Sequence, residues 1–154
     1  VDAAIEGSDT FDAKREKGLT WKEIGKTVGG GSPIAITAAL LGQMRLEPAQ
    51  AKKAAKLFGL DKNEAAMLTE TPYRGALPSG PPTDPLIYRF HELVQVYGTT
   101  WKALIEEEFG EPGRPADGIM SAIDFDMTIG KVPDPKGDRV KIVMTGKFLH
   151  YKRY

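Results

Sequence analysis

The feature that most constrains the fold is a proline-rich segment between residues 71 and 85. This segment, "TPYRGALPSGPPTDP", holds five prolines, which lack the backbone N–H donor that helix interiors and central strands need. So long an irregular connection is unusual within one compact domain. It therefore divides the chain of 154 residues, and we predict a first domain over 1–75, a linker over 76–84 and a second domain over 85–154.

The first part has the pattern of an all-helical bundle. "LTWKEIGKTVG" has a cap at Thr20 and apolar residues on one face, and "SPIAITAALLGQ" begins with Ser32 as N-cap followed by proline. "EPAQAKKAAKLFGL" opens with Pro48 and ends at Gly59, and "DKNEAAMLTE" predicts one more helix. The two capped helices and the glycine turn over 20–43 resemble a helix-turn-helix.

A helix-turn-helix DNA-binding regulator with a C-terminal dimerisation sheet is therefore the alternative function. The second helix of that motif points hydrogen-bonding side chains at base edges, but residues 34–41 are apolar apart from Thr37. Nucleic-acid binders normally have a basic excess, whereas 21 basic residues here balance 21 acidic ones. We expect this domain to pack or to contact other subunits, with no nucleic-acid partner.

The second part changes from helical to strand periodicity. "DPLIYRFHELVQVYG" predicts a helix that begins at Asp84 and Pro85 and ends at Gly98, and "TTWKALIEEEFG" predicts a second, short helix. "SAIDFDMTI" alternates apolar with polar residues, which indicates a half-buried strand. Its predicted buried face holds Ile123, Phe125, Met127 and Ile129. "PDPKGD" predicts a turn, and "RVKIVMTG" and "KFLHY" predict more strand.

So few strands form only a marginal sheet unless another layer covers their apolar face. The edges would also stay open. Pairing with the same strands of another subunit removes both problems, so we expect an obligate oligomer built through the C-terminal part. The fold class is α+β, with a helix-turn-helix-like helical bundle followed by a small helix-and-strand dimerisation domain.

A charged pair inside the apolar helix raises the question of a functional site. Arg89 and Glu92 are three residues apart, so they share a helix face. The alternative interpretation is a solvent-facing ion pair, which contributes little to stability. However, the order of the charges opposes the helix dipole, and large apolar residues flank the pair. A partly buried arginine beside its carboxylate is an organised site for planar oxyanions.

The composition and the residue spacing count against several other chemistries. The chain has no cysteine, which excludes thiolate catalysis and suits a reducing compartment. Its two histidines, His91 and His150, have no metal-ligand spacing around them, so we expect no metal site. The longest near-apolar run, 33–42, is too short to cross a bilayer. The expected location is the cytoplasm, with no membrane partner.

Three stretches resemble the cyanase family, also called cyanate hydratase or cyanate lyase. They are "YRFHELVQVYGTTWKALIEEEFG", "DGIMSAIDF" and "GKFLHYKRY". The resemblance covers most of the chain and implies a lyase that converts cyanate and bicarbonate to carbon dioxide and carbamate, for cyanate detoxification or nitrogen supply. It implies no cofactor, with bicarbonate as co-substrate. It also implies C-terminal sheets intertwined between subunits and a homodecamer assembled as a pentamer of dimers.

The same resemblance implies the site residues. The family's catalytic arginine, glutamate and serine fall on Arg89, Glu92 and Ser121, and substrate-binding positions fall on Ala122 and Leu149. We expect Arg89 to bind and neutralise the anions and Ser121 to donate its hydroxyl. Glu92 either orients Arg89 or carries a proton to the leaving nitrogen. A structural relic that has lost turnover is a third hypothesis, against which these intact residues count.

Two departures from the family pattern stand near the predicted site. The family usually runs almost directly from "FG" to "DG", whereas residues 111–116 intervene here. Pro112, Gly113 and Pro115 predict a surface loop for this insertion. His150 stands where the resemblance predicts proline. The insertion could affect pocket access or subunit contacts, and neither change replaces a catalytic candidate.

Overall fold

The computed structural model describes residues 7–73 and 79–152. The chain divides into two compact units, Val1–Leu77 and Pro78–Tyr154. Part of the linker predicted over 76–84, namely 76–78, lies outside the described residues. Its remaining residues, 79–84, form bends and irregular backbone that end at the cap of a long helix.

Over residues 7–73 the first unit contains five helices, two of which begin at the predicted caps Thr20 and Ser32. Thr20 and Ser32 cap their helices by accepting N–H bonds from Glu23 and Ala35, at 3.2 and 3.1 Å. Pro48 opens the fourth helix, and Gly59 ends it in the left-handed conformation. The helices are α1 (Gly7–Glu16), α2 (Trp21–Val28), α3 (Pro33–Leu40), α4 (Pro48–Phe58) and α5 (Lys62–Met67).

The core of the first unit lies between these helices. It is formed by Ile24, Val28, Ile36, Ala39, Leu40, Leu46, Ala51, Ala54 and Leu68. Helix α3 contributes Ile36, Ala39 and Leu40 to it. These residues occupy the helix that a helix-turn-helix regulator would place in the major groove. Half-buried Trp21, Leu57 and Phe58 pack around the same core.

The second unit begins with one long helix, α6, over Pro85–Glu108. The prediction of two helices separated at Gly98 was wrong. Gly98 lies inside α6, and a Cβ there would only make an ordinary 3.7 Å contact with Val94. A glycine within a helix costs about 1 kcal/mol relative to alanine. That cost is too small to end a helix whose following residues continue the pattern.

Two antiparallel strands, β1 (Gly118–Val132) and β2 (Arg139–His150), form the sheet of this unit. The predicted turn between them is confirmed, with Gly137 N donating to Asp134 O at 3.0 Å. "RVKIVMTG" and the first four residues of "KFLHY" form one strand, so the separate strands expected there merge through Gly146. Helices followed by an antiparallel sheet confirm the α+β class, and intertwining between subunits stays a prediction.

The burial expected in the second unit is only partly present in the single chain. Of the predicted apolar strand face, Phe125 and Met127 are half-buried, whereas Ile123 is 98% exposed and Ile129 is exposed. None of the residues of α6, all of which are described, is buried. The prediction of a partly buried charged pair is therefore wrong for one chain alone. The physical reason is that a two-stranded sheet has no second layer of its own.

Aromatic stacking joins the end of α6 to the sheet. The rings of Phe109, which follows α6, and Phe148 on β2 stack with centroids 4.5 Å apart. The inserted residues 111–116, between Phe109 and β1, form a tight exposed loop. In this loop Glu111 and Arg114 exchange backbone hydrogen bonds of 2.9 and 2.8 Å. Gly113 takes a positive φ of 76° in this loop. The loop predicted over 111–116 is therefore a surface hairpin turn.

Candidate functional site

The start of α6 fixes the position of the charged pair. The Asp84 carboxylate accepts hydrogen bonds from the backbone N–H groups of Leu86 and Ile87, both at 2.9 Å. This satisfies two of the free donors at the helix N-terminus, and Pro85 needs no donor there. Arg89 therefore lies in the second turn of a capped, well-defined helix.

Arg89 and Glu92 face each other across one helical turn. Arg89 Nη1 lies 3.8 Å from Glu92 Oε2, and the two side chains are 65% and 51% exposed. This distance is an ion pair but too long for a hydrogen bond. The guanidinium carbon also lies 5.9 Å from the ring centre of Tyr88. Among the described residues, the guanidinium has only these two contacts, so most of its donors are available to bind an anion.

Ser121 lies in a large bulge of β1. The ladder pairs Met120 with Phe148 and then Phe125 with Gly146, so residues 121–124 face the single residue between those two partners. Ser121 is only 5% exposed. Its Oγ accepts hydrogen bonds from the backbone N–H groups of Ile123 at 3.0 Å and Asp124 at 2.9 Å. The bulge thus holds the serine oxygen with its own backbone.

This arrangement leaves the Ser121 hydroxyl hydrogen available as a donor. A hydroxyl has two acceptor lone pairs and one hydrogen, and the two N–H groups occupy the lone pairs. Within the described residues, no hydrogen bond joins its Oγ to a histidine or a carboxylate that could serve as a base. The geometry suits hydrogen-bond donation to an anion better than nucleophilic attack.

The two predicted substrate-binding residues lie on the sheet near Ser121. Ala122 is exposed within the bulge, and Leu149 pairs with Ile119 just before it. His150, the second departure from the family pattern, packs edge-on against Phe148 with centroids 4.8 Å apart. The structure therefore gathers Ser121, Ala122 and Leu149 at one end of the hairpin.

The charged pair lies near the start of α6, whereas Ser121 lies in the part of the sheet that contacts the end of α6. Arg89 precedes Phe109 by about 20 residues, which corresponds to about 30 Å along a helix. Phe109 stacks on Phe148, whose partner in the ladder is Met120, the neighbour of Ser121. In the described part of one chain, no hydrogen bond or ion pair links Ser121 with Arg89 or Glu92.

Two other features, a cluster of metal ligands and a membrane-spanning helix, are absent from the described residues. No group of three or more histidine, aspartate or glutamate side chains within 7–73 and 79–152 is placed to hold a metal ion. Over the same residues, no helix has the length and apolar character required to span a membrane.

Both units match models of one protein family. Residues 7–72 match the model described as "Cyanate hydratase, N-terminal", and residues 79–153 match the "Cyanate lyase C-terminal domain". The chain belongs to the cyanate lyase family. Together the N-terminal and the C-terminal model account for nearly all the chain, so the resemblance stated from the sequence is confirmed.

Individual members of the cyanate lyase family agree with this assignment. The chain is 51% identical over all 154 residues to the cyanate hydratase of Polynucleobacter asymbioticus, with both chains fully covered. It is 55% identical over 141 residues to that of Polaromonas sp., covering 92% of this chain and 91% of the relative. The crystal structure of cyanase from T. urticae has a TM-score of 0.74 at 35% identity and covers 94% of this chain and 96% of its own.

The sequence did not predict a role for Gly146, which lies beside Ser121. Gly146 lies on β2 opposite the bulge, where a Cβ would stand 2.6 Å from Met120 Cγ and closer still to the Ser121 carbonyl oxygen. A glycine inside a strand pattern is a recognised sign of a bulge or of close backbone approach. In the sequence, Gly146 only marked the predicted boundary between two strands.

Proposed function

We propose that this chain decomposes cyanate with bicarbonate to give carbon dioxide and carbamate, and that carbamate then breaks down to ammonia and carbon dioxide. The observation that carries this proposal is the full-length match to a protein named cyanate hydratase, with every residue of both chains aligned. The biological role would be cyanate detoxification or nitrogen supply. The cysteine-free composition suits the cytoplasm, which is the location we propose.

The chemical problem is that both reactants are anions. Like charge and hydration keep cyanate and bicarbonate apart in water, whereas a guanidinium offers paired N–H donors to both. Alignment of two bound reactants can contribute a large rate enhancement. The Arg89 donors are free of a hydrogen bond to Glu92 at 3.8 Å, which supports an anion-binding role for Arg89.

The proposed steps balance without an electron carrier or metal. A bicarbonate oxygen attacks the cyanate carbon, and the bicarbonate proton passes to nitrogen, which gives a dianionic adduct. Cleavage of the original bicarbonate C–O bond then releases carbon dioxide, and one further proton produces carbamate. Breakdown of carbamate takes up a proton and releases ammonia with the second carbon dioxide. Bicarbonate is the only co-reactant in this proposal, and no cofactor is required.

Ser121 and Glu92 would support the negative charge of the adduct in different ways. Two backbone N–H groups fix the Ser121 oxygen, so its hydrogen can point at an adduct oxygen. Glu92 lies within ion-pair range of Arg89, which supports the orienting role. Ala122 and Leu149, on the same end of the hairpin, would line the pocket.

Each site would combine residues of different copies of the chain. The separation of about 30 Å along α6 between Arg89 and the Phe109 end keeps Arg89 far from its own Ser121. The apolar residues exposed on a single chain also favour a homo-oligomer, because such surfaces are rare on monomers. On α6 they include Leu86, Ile87, Phe90, Leu93, Val94, Val96, Tyr97, Trp101 and Leu104. We propose the homodecamer, a pentamer of dimers, that the family resemblance implies.

Ammonia release from cyanate tests this function directly. The purified chain should release ammonia when cyanate and bicarbonate are both present, and release should fall to the background rate when bicarbonate and dissolved carbon dioxide are removed. The same preparation heated until it unfolds is the control for spontaneous hydrolysis. Bicarbonate-independent release, or none at all, would contradict the proposal.

A further inference from the structure

We propose that Gly146 is a positioning residue for Ser121, because only a residue without a side chain lets the bulge 121–124 close against β2. This inference rests on the proposed function, in which Ser121 belongs to the site. Gly146 itself touches no substrate in this proposal. It acts by setting where the serine oxygen stands.

The bulge needs support from the opposite strand because it departs so far from a regular ladder. Residues 121–124 occupy the space between the paired positions Met120–Phe148 and Phe125–Gly146. Inside it, the N–H groups of Ile123 and Asp124 turn back to the Ser121 oxygen at 3.0 and 2.9 Å. The direction of the Ser121 side chain is therefore set by the path of the bulge backbone.

Gly146 permits this path by leaving space. A Cβ at this position would lie 2.6 Å from Met120 Cγ and 3.2 Å from Phe125 Cδ2, with the Ser121 carbonyl oxygen nearer than either. Gly146 does not have the positive φ that would favour glycine over other residues. The requirement for glycine thus comes from close approach and not from backbone strain.

An added methyl group at Gly146 must therefore move the backbone of Ser121. The nearest atom is a carbonyl oxygen of the main chain, which cannot rotate away as the end of a flexible side chain can. Moving that carbonyl shifts the bulge, and the Ser121 oxygen moves with it. Misplacing a reacting group by about 1 Å can lower a rate about a hundredfold.

A double-mutant cycle on the assembled protein separates this role from a general structural one. The kcat for ammonia release is measured for the native chain, Gly146→Ala, Ser121→Ala and the double variant, with both substrates saturating. We expect Gly146→Ala to lower kcat at least about tenfold when Ser121 is present. In the Ser121→Ala background it should change kcat less than about twofold. An equal loss in both backgrounds would overturn the inference.

Gly130→Ala is the matched control within the same sheet. Nothing lies within 4 Å of a Cβ at Gly130, so this variant should keep kcat within about twofold of the native value. Circular dichroism and the mass in solution report whether each variant folds and assembles. A loss for Gly130→Ala as large as that for Gly146→Ala would contradict a specific role.

A second pair of variants tests the bulge should Gly146→Ala fail to assemble. Asp124→Pro removes one N–H donor to the Ser121 oxygen, whereas Asp124→Ala removes the same carboxylate and keeps that donor. We expect kcat to be at least about fivefold lower for the proline variant than for the alanine variant. Equal values would overturn the positioning role of the bulge.

The outcomes also separate this inference from the function on which it rests. A native chain that releases no ammonia from cyanate and bicarbonate defeats the proposed function and the inference together. A native chain that is active and a Ser121→Ala variant with unchanged kcat would remove Ser121 from the site. An impaired Ser121→Ala variant combined with additive losses in the cycle overturns only the role of Gly146.

Discussion

Arg89→Lys is expected to lower kcat/KM for cyanate at least about a hundredfold. Lysine keeps the positive charge but lacks the planar fork of N–H donors that the guanidinium presents. A single ammonium cannot present parallel N–H donors to two oxyanions held side by side. The Arg89 side chain makes no hydrogen bond to Glu92 at 3.8 Å, so folding should tolerate the change. The measurement is steady-state ammonia release at saturating bicarbonate.

The control for this variant is Arg15→Lys. Arg15 is an exposed arginine on α1 that pairs with Asp12 at a spacing of three residues, as Arg89 does with Glu92. It should keep native kinetics, and both variants should keep the native mass in solution. Were Arg89→Lys to retain kcat/KM within about threefold of the native value, the fork would have no part in binding the anions.

Ile123→Asp is expected to break the assembly and to remove most of the activity. Ile123 is 98% exposed on one chain, so an aspartate there costs the fold of that chain almost nothing. If the strands of another copy cover this side chain, the same aspartate becomes a buried, unpaired charge, which costs several kcal/mol. Light scattering should then show smaller particles, and ammonia release should fall more than about tenfold.

Lys136→Asp provides the matched comparison, because it introduces the same side chain at an exposed position in the turn between β1 and β2. This variant should keep both its assembly and its activity. Thermal unfolding followed by circular dichroism shows whether either substitution damages the chain itself. An Ile123→Asp protein of native mass and native activity would contradict the packing of β1 between copies.

The sequence predicted the starts of helices most accurately, because helix caps are local interactions. Thr20, Ser32 and Asp84 each accept backbone N–H bonds within the next three residues. Proline at the first helical position added a signal at Ser32 and Asp84. These features require no knowledge of tertiary contacts.

Features that depend on distant residues were not predictable in the same way. Gly98 continues α6 because its neighbours favour a helix, although glycine often ends one. The bulge at 121–124 depends on which residues of β2 lie opposite, which the alternation in β1 alone does not specify. Alternation also predicted a covered face for Ile123, but no second layer exists in one chain to cover it.

The candidate site was predictable to the same extent, namely where local spacing determines it and not where distant residues do. The spacing of Arg89 and Glu92 predicts that they share a helix face, and the structure has their charged atoms 3.8 Å apart. Ser121 came only from the family resemblance, because no local pattern relates it to an arginine far away in the sequence. The space at Gly146 required coordinates, since its cause is an oxygen on the neighbouring strand.

The most direct test of the shared site is the activity of hybrid assemblies made by co-expressing Arg89→Lys and Ser121→Ala chains with different affinity tags. Each chain carries one defect, so neither can complete a site alone. If Arg89 and Ser121 of one site come from different copies, random mixing restores up to about a quarter of the native activity. Hybrids that carry both tags at the native mass, yet are no more active than either variant alone, would contradict the shared site.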